Sequence, residues 1–510
     1  MIRLTVGLIL NILCFSECYK ILVIFPTPII SHYILGEALA SGLAEAGHDV
    51  TIVSAFQTKN PPNNGSYREI VLTGSSKDNE NHLTTNLFAR GSMNKFSAMA
   101  KLNSLGHKTV REALKHPKFQ ELIHSGERFD VMVTEQFHND GIKPLAVHFN
   151  AHLIILSTII PNLWVNALVG NPSPASYIPD YTLNYPIQMS LLQRTWNLVI
   201  KTAAYVNQHL LFYPKQRKIA EELIPNGLDF DSALYNVSLV LCNSHESVNQ
   251  PVPMVPNMIH IGGYHIKPPK KLSQEFQEFM DSAQEGVVYF SLGSTIKPST
   301  MSEDKKRAIL QALGKLKQKV LWKWDEDYIS DKPTNIKLAK WIPQQDLLAH
   351  PNVKLFVTHG GLLSTLETIY HGVPVLALPI FADQKLNAAR AQEAGYGRYI
   401  LFSEVTETKM DDALRNLLNE PMYKENAKRR SAIFHDRPVK PMDLATYWIE
   451  YVIRHKGAEH LRVAGNKLPW YQYFSLDSVA LIILLMLAPL IPLKILFLLL
   501  KRNFIKAKQE

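Results

Sequence analysis

Short, almost unbroken apolar runs recur along the chain, and most are followed by a segment with apolar residues at helical spacing. Such runs predict strands buried on both faces, as in a parallel sheet, and their alternation with helices predicts an α/β fold. The first series opens with Ile21–Phe25, a loop over 26–30, a Leu- and Ala-rich helical pattern over His32–Ala46 that stops at Gly47, and a strand at Val50–Ser54. Further strands are predicted at Val131–Thr134 and Leu153–Ser157, a long helical pattern over 187–224, and irregular chain over 60–100 and 170–186. A second series starts at Gly286–Ser291 and continues with strands Val320–Trp324, Ile336–Ala339, Val353–Thr358 and Pro374–Pro379, with helices over 301–317, 364–371 and 384–395. Between the two series, Pro251, Pro253, Pro256, Pro268 and Pro269 crowd into 246–285, the composition of a linker. Two α/β halves facing each other across a cleft are therefore expected, one over 19–245 and one over 286–440.

The ends of the chain carry a different pattern. Met1–Cys18 has Arg3, the apolar run Leu4–Phe15, then Ser16 and Cys18, which reads as a signal peptide leaving Tyr19 as the first mature residue. Leu476–Leu500 is almost wholly apolar and, at ~1.5 Å per residue, is long enough for a ~30 Å hydrocarbon core. Pro489 and Pro492 are expected to kink it, and Lys494 to snorkel. Lys501, Arg502, Lys506 and Lys508 follow, so the positive-inside rule puts the tail at 501–510 in the cytosol and the body in the lumen, as a single-pass type I membrane protein. The final Lys506–Glu510 reads as a dilysine endoplasmic-reticulum retrieval signal.

Length and composition narrow the picture further. At 510 residues two domains are expected, and 46% hydrophobic residues suffice for sizeable cores. The net charge of +9 is spread without a basic stripe interleaved with aromatics, so nucleic acid is not an expected partner. Of three cysteines only Cys242 survives removal of the leader, so no internal disulfide is expected. Asn64 and Asn236 head Asn-X-Ser sequons, which a lumenal body would expose to glycosylation.

The densest chemistry lies between Trp341 and Gln384. The run Val353–Thr358 leads into His359-Gly360-Gly361 and then a helical pattern, with Ser364 and Thr365 at its start and Glu367 just inside. Glycine allows a tight turn and close backbone approach to a ligand, and a helix N-terminus facing that turn attracts an anion. A phosphate site at the end of a strand follows, as in doubly wound folds. In the first series, His32 sits after the first strand at a helix N-terminus, suited to accept a proton from a hydroxyl. Such a base needs an orienting carboxylate, and Glu135 and Asp140 in FDVMVTEQFHND are both candidates. Asp325-Glu326-Asp327 matches a short D-x-D metal motif but reads as a solvated turn; neither metal nor cofactor is expected.

The segment WIPQQDLLAHP, THGG, E-x-x-YHG-x-P and FADQ resembles the donor signature of the UDP-glycosyltransferase family, the animal membrane-bound glucuronosyl- and glucosyltransferases. SHYILGEAL, WVNALVGNPSPASYIP and SLGS resemble its insect branch, and the likeness extends from residue 19 to the tail. The resemblance implies the GT-B architecture of two facing Rossmann-like domains, with a helix over 441–460 crossing back onto the first half. It implies His32 as catalytic base; Trp341, Ile342 and Gln344 at the uracil; and Ser294, His359, Gly361 and Ser364 at the diphosphate. Glu367 then holds the ribose, and Asp383 and Gln384 the sugar. Two departures stand out: Glu135 where vertebrate members carry Asp, and Leu363 where Asn is common. The implied activity is inverting transfer of a hexosyl group, with glucose favoured over glucuronic acid, from a UDP-sugar to a small lipophilic hydroxyl acceptor, for detoxification or conjugation. A catalytically weak lipophilic-ligand-binding protein and a lipid glycosyltransferase with one endogenous acceptor are the rival classes. A lipid bilayer is an expected partner, and assembly into a homo-oligomer is left open.

Overall fold

The computed structural model describes residues 18–63, 65–74, 87–91, 93–225 and 229–506. Most of the predicted leader, the sequon residue Asn64 and residues 507–510 of the retrieval signal lie outside these. The chain divides into a unit ending at Leu461 and a unit from Arg462 to Glu510.

The first unit holds two parallel sheets. Strands β1 (Lys20–Phe25), β2 (Asp49–Ser54), β3 (Ser66–Val71), β4 (Val131–Glu135), β5 (His152–Ser157), β6 (Val237–Cys242) and β7 (Met258–His260) form one, in the order β3-β2-β1-β4-β5-β6-β7. Strands β8 (Val287–Ser291), β9 (Lys319–Lys323), β10 (Ile336–Ala339), β11 (Val353–Thr358), β12 (Val375–Ala377) and β13 (Gly397–Tyr399) form the other, in the order β10-β9-β8-β11-β12-β13. The strand order reverses between β1 and β4 and again between β8 and β11, and at such switch points the carboxyl ends of strands leave a crevice for ligand. In the first sheet alternate residues enter opposite cores. Leu22, Ile24, Met132 and Ile155 belong to one, Ile21, Val23, Val131 and Ile154 to the other.

The helices that matter for the site are α1 (Ile30–Glu45), α2 (Lys95–Lys115), α3 (Leu191–Asn207), α4 (Leu362–His371), α5 (Gln384–Glu393) and α6 (Pro441–Arg454). Helix α6 buries Ala445, Ile449 and Val452 in the core that α1 covers in the first half. Its Met442 side chain lies where a Cβ on Gly42 of α1 would stand, so a larger residue there would displace that methionine.

Three stretches differ from the sequence reading. The segment 60–100, expected to be irregular, contains β3 and the start of α2. β3 is an edge strand whose outer positions alternate exposed and half-buried, so it lacks an apolar run. The first sheet runs on past residue 245, because β7 pairs with β6 through Val240–Met258 and Cys242–His260. Three residues of strand among prolines leave little pattern to read. The helical stretch at 187–224 is interrupted by a π-turn at Gln208–Phe212.

In the second unit, Leu476–Arg502 is a helix long and apolar enough to cross a membrane. It is broken between Leu487 and Leu490, at Ala488–Pro489, as the kink expected at proline requires.

Candidate active site between the two sheets

His32 is the third residue of α1, reached from β1 by the loop Pro26–Ile29. Glu135 ends β4, which pairs with β1 through Ile24–Thr134, so the two residues emerge side by side at the switch point. Glu135 Oε2 is 2.5 Å from His32 Nδ1, and its Oε1 accepts the Thr27 backbone N–H at 3.2 Å. Both carboxylate oxygens are thus committed, in a residue with no exposure to solvent. With Glu135 accepting from Nδ1–H, the imidazole keeps its lone pair at Nε2, the form a general base needs. The Phe137 ring packs edge-on against the imidazole, with centroids 4.4 Å apart.

Asp140 does not share this role. Its Oδ1 receives Lys143 Nζ at 2.6 Å and Gln136 Nε2 at 3.1 Å, all three buried. A buried lysine requires a counter-charge, and Asp140 is that partner. Of the two carboxylates that the sequence left open, the structure brings only Glu135 to His32.

Across the cleft, β11 ends at Thr358 and the chain turns through His359-Gly360-Gly361 into α4. Gly360 has φ +83°, a conformation that favours glycine. The helix begins at Leu362, two residues earlier than the pattern suggested, with Gly361 as N-cap and no side chain capping it. Thr365 N–H makes the first bond into the helix, to Gly361 O at 3.0 Å. The N–H groups of the first turn precede that bond and suit an anion. The His359 ring lies against both Gly293 and Gly361, where any Cβ would collide with it. Burial, with Lys323 nearby, pushes its imidazole down to about 4, so it is neutral at pH 7.

The rest of this wall is a connected network. Glu367 accepts from Gln344 Nε2 and, at 3.0 Å, from Gln345 Nε2; Gln344 also reaches Ser364 Oγ at 3.2 Å and accepts from Tyr289 OH at 3.1 Å. Burial pushes the Glu367 carboxyl up to about 6. Trp341 is 64% exposed with its ring facing the cavity, Lys323 Nζ 4.9 Å and Lys59 Nζ 5.9 Å from its centroid. Ile342 is core, packed with Leu347 and Phe356. Ser294 is exposed at the cavity after β8. Asp383 caps the start of α5, and its Oδ2 accepts from Asn387 Nδ2 at 2.8 Å. Burial raises its carboxyl, and the hydrogen bond from Asn387 opposes that rise. Gln384 spends its Oε1 on the backbone N–H groups of Ile380 and Phe381, at 2.8 and 3.0 Å, and so fixes the loop that carries Asp383.

Leu363, in the first turn of α4, is half-buried against the core of the first half that contains Phe25 and Leu35. Sequence reasoning also missed Lys323, whose Nζ donates to Gly293 O at 3.1 Å inside the cavity. The available signal was a lone lysine between Trp322 and Trp324, at the carboxyl end of a strand. The acidic turn at 325–327 is engaged elsewhere: Asp325 holds Ser299, and Asp327 pairs with Lys340. Of the two sequons, Asn236 is exposed next to the buried Ser238.

One cavity of about 1030 Å³ joins these groups, lined by His32, Phe137, Trp164 and Tyr181 from the first half and by Ser294, Trp341, His359, Glu367 and Asp383 from the second. Its first-half wall is largely apolar, its second-half wall polar and rich in donors.

The sequence model described as "UDP-glucoronosyl and UDP-glucosyl transferase" matches residues 20–510. UDP-glycosyltransferase UGT5 of Dactylopius coccus is 36% identical over 478 residues, covering 92% of this chain and 90% of that protein. Human UDP-glucuronosyltransferase 2B7 is 33% identical over 492 residues, covering 92% and 91%. Among solved structures, the glycotransferase of kitacinnamycin superposes with a TM-score of 0.57 at 15% identity, over 85% of this chain and 99% of that one. That likeness concerns the fold, which is GT-B.

Proposed function

The chain belongs to the UDP-glucoronosyl and UDP-glucosyl transferase family, a glycosyltransferase acting on UDP-sugars, and from that premise we propose that it transfers glucose, with inversion, to the hydroxyl of a small lipophilic acceptor. The observation that carries this reading is the His32–Glu135 pair facing Asp383 and the α4 N-terminus within one cavity. The acceptor lies against the apolar wall of the first half with its hydroxyl at His32 Nε2. That nitrogen takes the proton, and the hydroxyl oxygen forms a bond to the anomeric carbon. The bond from that carbon to the UDP oxygen breaks, and the electron pair leaves with UDP. Glu135 stabilises the imidazolium as it forms, which a general base of this kind turns into a rate gain of ~10²–10⁴. The α4 N–H groups, His359 and Ser294 face the charge that grows on the diphosphate. Trp341 stacks on the uracil beside Gln344, and Glu367 accepts from the ribose hydroxyls. No step requires a metal or cofactor.

Glucose is favoured by the sugar end of the cavity. The Asp383 carboxylate and the Gln384 amide suit the hydroxyls of a neutral hexose. A uronate would add a second carboxylate beside Asp383, whose own carboxyl burial already raises. The apolar helix at 476–502 and the basic residues after it support a type I protein of the endoplasmic-reticulum membrane, glycosylated on its lumenal body at Asn64 and Asn236, that conjugates lipophilic compounds for clearance.

Membranes carrying the chain, offered UDP-glucose or UDP-glucuronic acid with a panel of phenols, alcohols and sterols, test this directly. Glucosyl transfer that falls by at least ~10² in His32→Ala, with UDP binding retained, is the expected result. Transfer that survives the substitution removes His32 as the base; transfer from UDP-glucuronic acid alone reverses the choice of donor.

A further inference from the structure

Behind the apolar wall of the first half lies a small chamber of about 10 Å³, lined by Gln136, His138, Trp164, Asn207, Gln208 and Phe212. That is room for about one oxygen-sized group. His138, Trp164 and Asn207 also line the main cavity, so their side chains form the partition between the two spaces.

The polar atoms of this chamber are left over from the fold. Gln136 spends its Nε2 on Asp140 Oδ1 at 3.1 Å, and Gln208 spends its Nε2 on Tyr213 OH at 2.5 Å. The Oε1 atoms of both glutamines and both ring nitrogens of His138 are buried without a hydrogen-bond partner among the described residues. Buried polar atoms are almost always paired in folded proteins, because an unpaired one forfeits its bonds to water. Four of them on residues of one chamber mark a place for a ligand atom.

The surroundings hold these groups in place. His138 sits at φ +54°, a region that histidine enters more readily than most residues. Gly106 of α2 lies so close to it that a Cβ there would meet the His138 carbonyl oxygen and Cβ. The π-turn Gln208–Phe212 buries both of its end residues while Leu210 and Leu211 stay exposed, and such turns recur at functional sites. The His138 ring meets Trp164 and Phe212 edge-on, with centroids 4.3 and 4.8 Å away. Burial pushes its imidazole down to about 4, against the opposing charge of Asp140, so at pH 7 it is neutral and offers one N–H and one lone pair. Phe137 packs edge-on against the imidazoles of both His32 and His138, with centroids 4.4 and 6.1 Å away. The two histidines are therefore no farther apart than a two-ring aromatic with an oxygen at each end can reach.

We infer that this chamber is a second acceptor subsite, which takes a hydroxyl group remote from the one that meets His32. That hydroxyl accepts from the His138 ring N–H and donates to Oε1 of Gln208 or Gln136. The inference rests on the acceptor reading above and deepens it: the favoured substrates are rigid lipophilic diols and diphenols. A carboxylate would meet one donor against two amide oxygens. A methoxy group cannot donate and is larger than the chamber. An imidazole that served only as a packing ring would give no preference for a second hydroxyl.

The test offers membranes carrying the full chain UDP-glucose with matched acceptors: naphthol, its dihydroxy and hydroxy-methoxy counterparts at several spacings, and the corresponding biphenyls. At least one diol should show a KM ~5–10-fold below that of its monohydroxy parent, the value of one or two hydrogen bonds between neutral groups. Its methoxy counterpart should show no such gain. His138→Phe should bring the diol and parent KM values within twofold of each other, and Gln208→Met should do the same from the other side of the chamber. His138→Asn, which tolerates the same backbone and keeps a donor and an acceptor, should retain most of the preference. A wild-type chain that prefers no diol overturns the proposal and leaves the chamber to water. A preference that survives both His138→Phe and Gln208→Met overturns it too, as does an equal rise in KM for diol and parent. Isothermal titration of the same pairs onto the UDP-loaded chain reads the chamber without turnover. Tighter diol binding that His138→Phe abolishes, in a chain that transfers no sugar, supports the subsite and counts against the transfer reading alone.

Discussion

The two sheets share one topology yet build their halves of the site in different ways. In the second half, the turn from β11 into α4 is short, and His359, Gly361, Ser364 and Glu367 follow within nine residues of each other. Backbone N–H groups and a buried polar network face the cavity there. In the first half, long insertions between β2 and β4 and between β5 and β6 supply the wall, and His32 meets Glu135 across a separation of 103 residues. A phosphate needs fixed donors, which a local turn provides. A lipophilic acceptor needs apolar volume, which only packed insertions can enclose. The contrast teaches that, on the proposed function, a local structure holds one ligand and an assembled one holds the other.

The strongest way to break that contrast is Glu135→Gln. If the assembled pair does the chemistry, kcat falls by ~10²–10⁴ while UDP affinity in a direct binding assay stays within twofold. A loss shared equally by binding and turnover would show that the two halves are not separable. Replacing Asp140 does not test the same point, because that carboxylate holds Lys143.

A smaller effect concerns the local half. Glu367→Gln should weaken UDP-glucose binding by ~10–150-fold at pH 7.5, the value of a hydrogen bond to a charged acceptor. The pH dependence has a definite sign. The Glu367 carboxyl rises from 4.5 to about 6 on burial. Its contribution to stability is therefore present below about 4.5 and lost as pH rises through about 6. Ribose hydroxyls donate to the ionised form, so donor affinity should strengthen over that same rise, and isothermal titration should find the dependence flattened in Glu367→Gln.

The smallest effect sits where the halves meet. Leu363 occupies the first turn of the donor helix, but its side chain packs on the first half. Leu363→Asn is expected to lower stability by about 1 kcal/mol, or Tm by ~2–4 °C, and to change UDP affinity less than twofold. A large change in affinity with no shift in Tm would return this position to the donor site.

Legibility followed the same division. The strands of the second series were read nearly to the residue at Ile336–Ala339 and Val353–Thr358, because parallel strands buried on both faces are continuous apolar runs. Trp341 to Gln384 was legible as a site because its groups lie close together in the chain. β3 was missed because an edge strand is half-solvated, and β7 because it is three residues long. Lys323 was passed over because its one signal, a lysine between two tryptophans at the carboxyl end of a strand, does not say that the strand ends at the cavity.

The amino-acid sequence alone determined the alternation of strand and helix, the glycine turn at 359–361, the apolar segment at 476–500 and the presence of a histidine at the start of the first helix. Those are properties of residues within a few turns of one another. Only the tertiary structure decided that Glu135 rather than Asp140 orients His32, that Leu363 faces the opposite half, and that His138 and Gln208 line one chamber. Each depends on which strand or helix lies alongside. That neighbour is set by sheet order and packing across long separations, which periodicity along one segment does not encode.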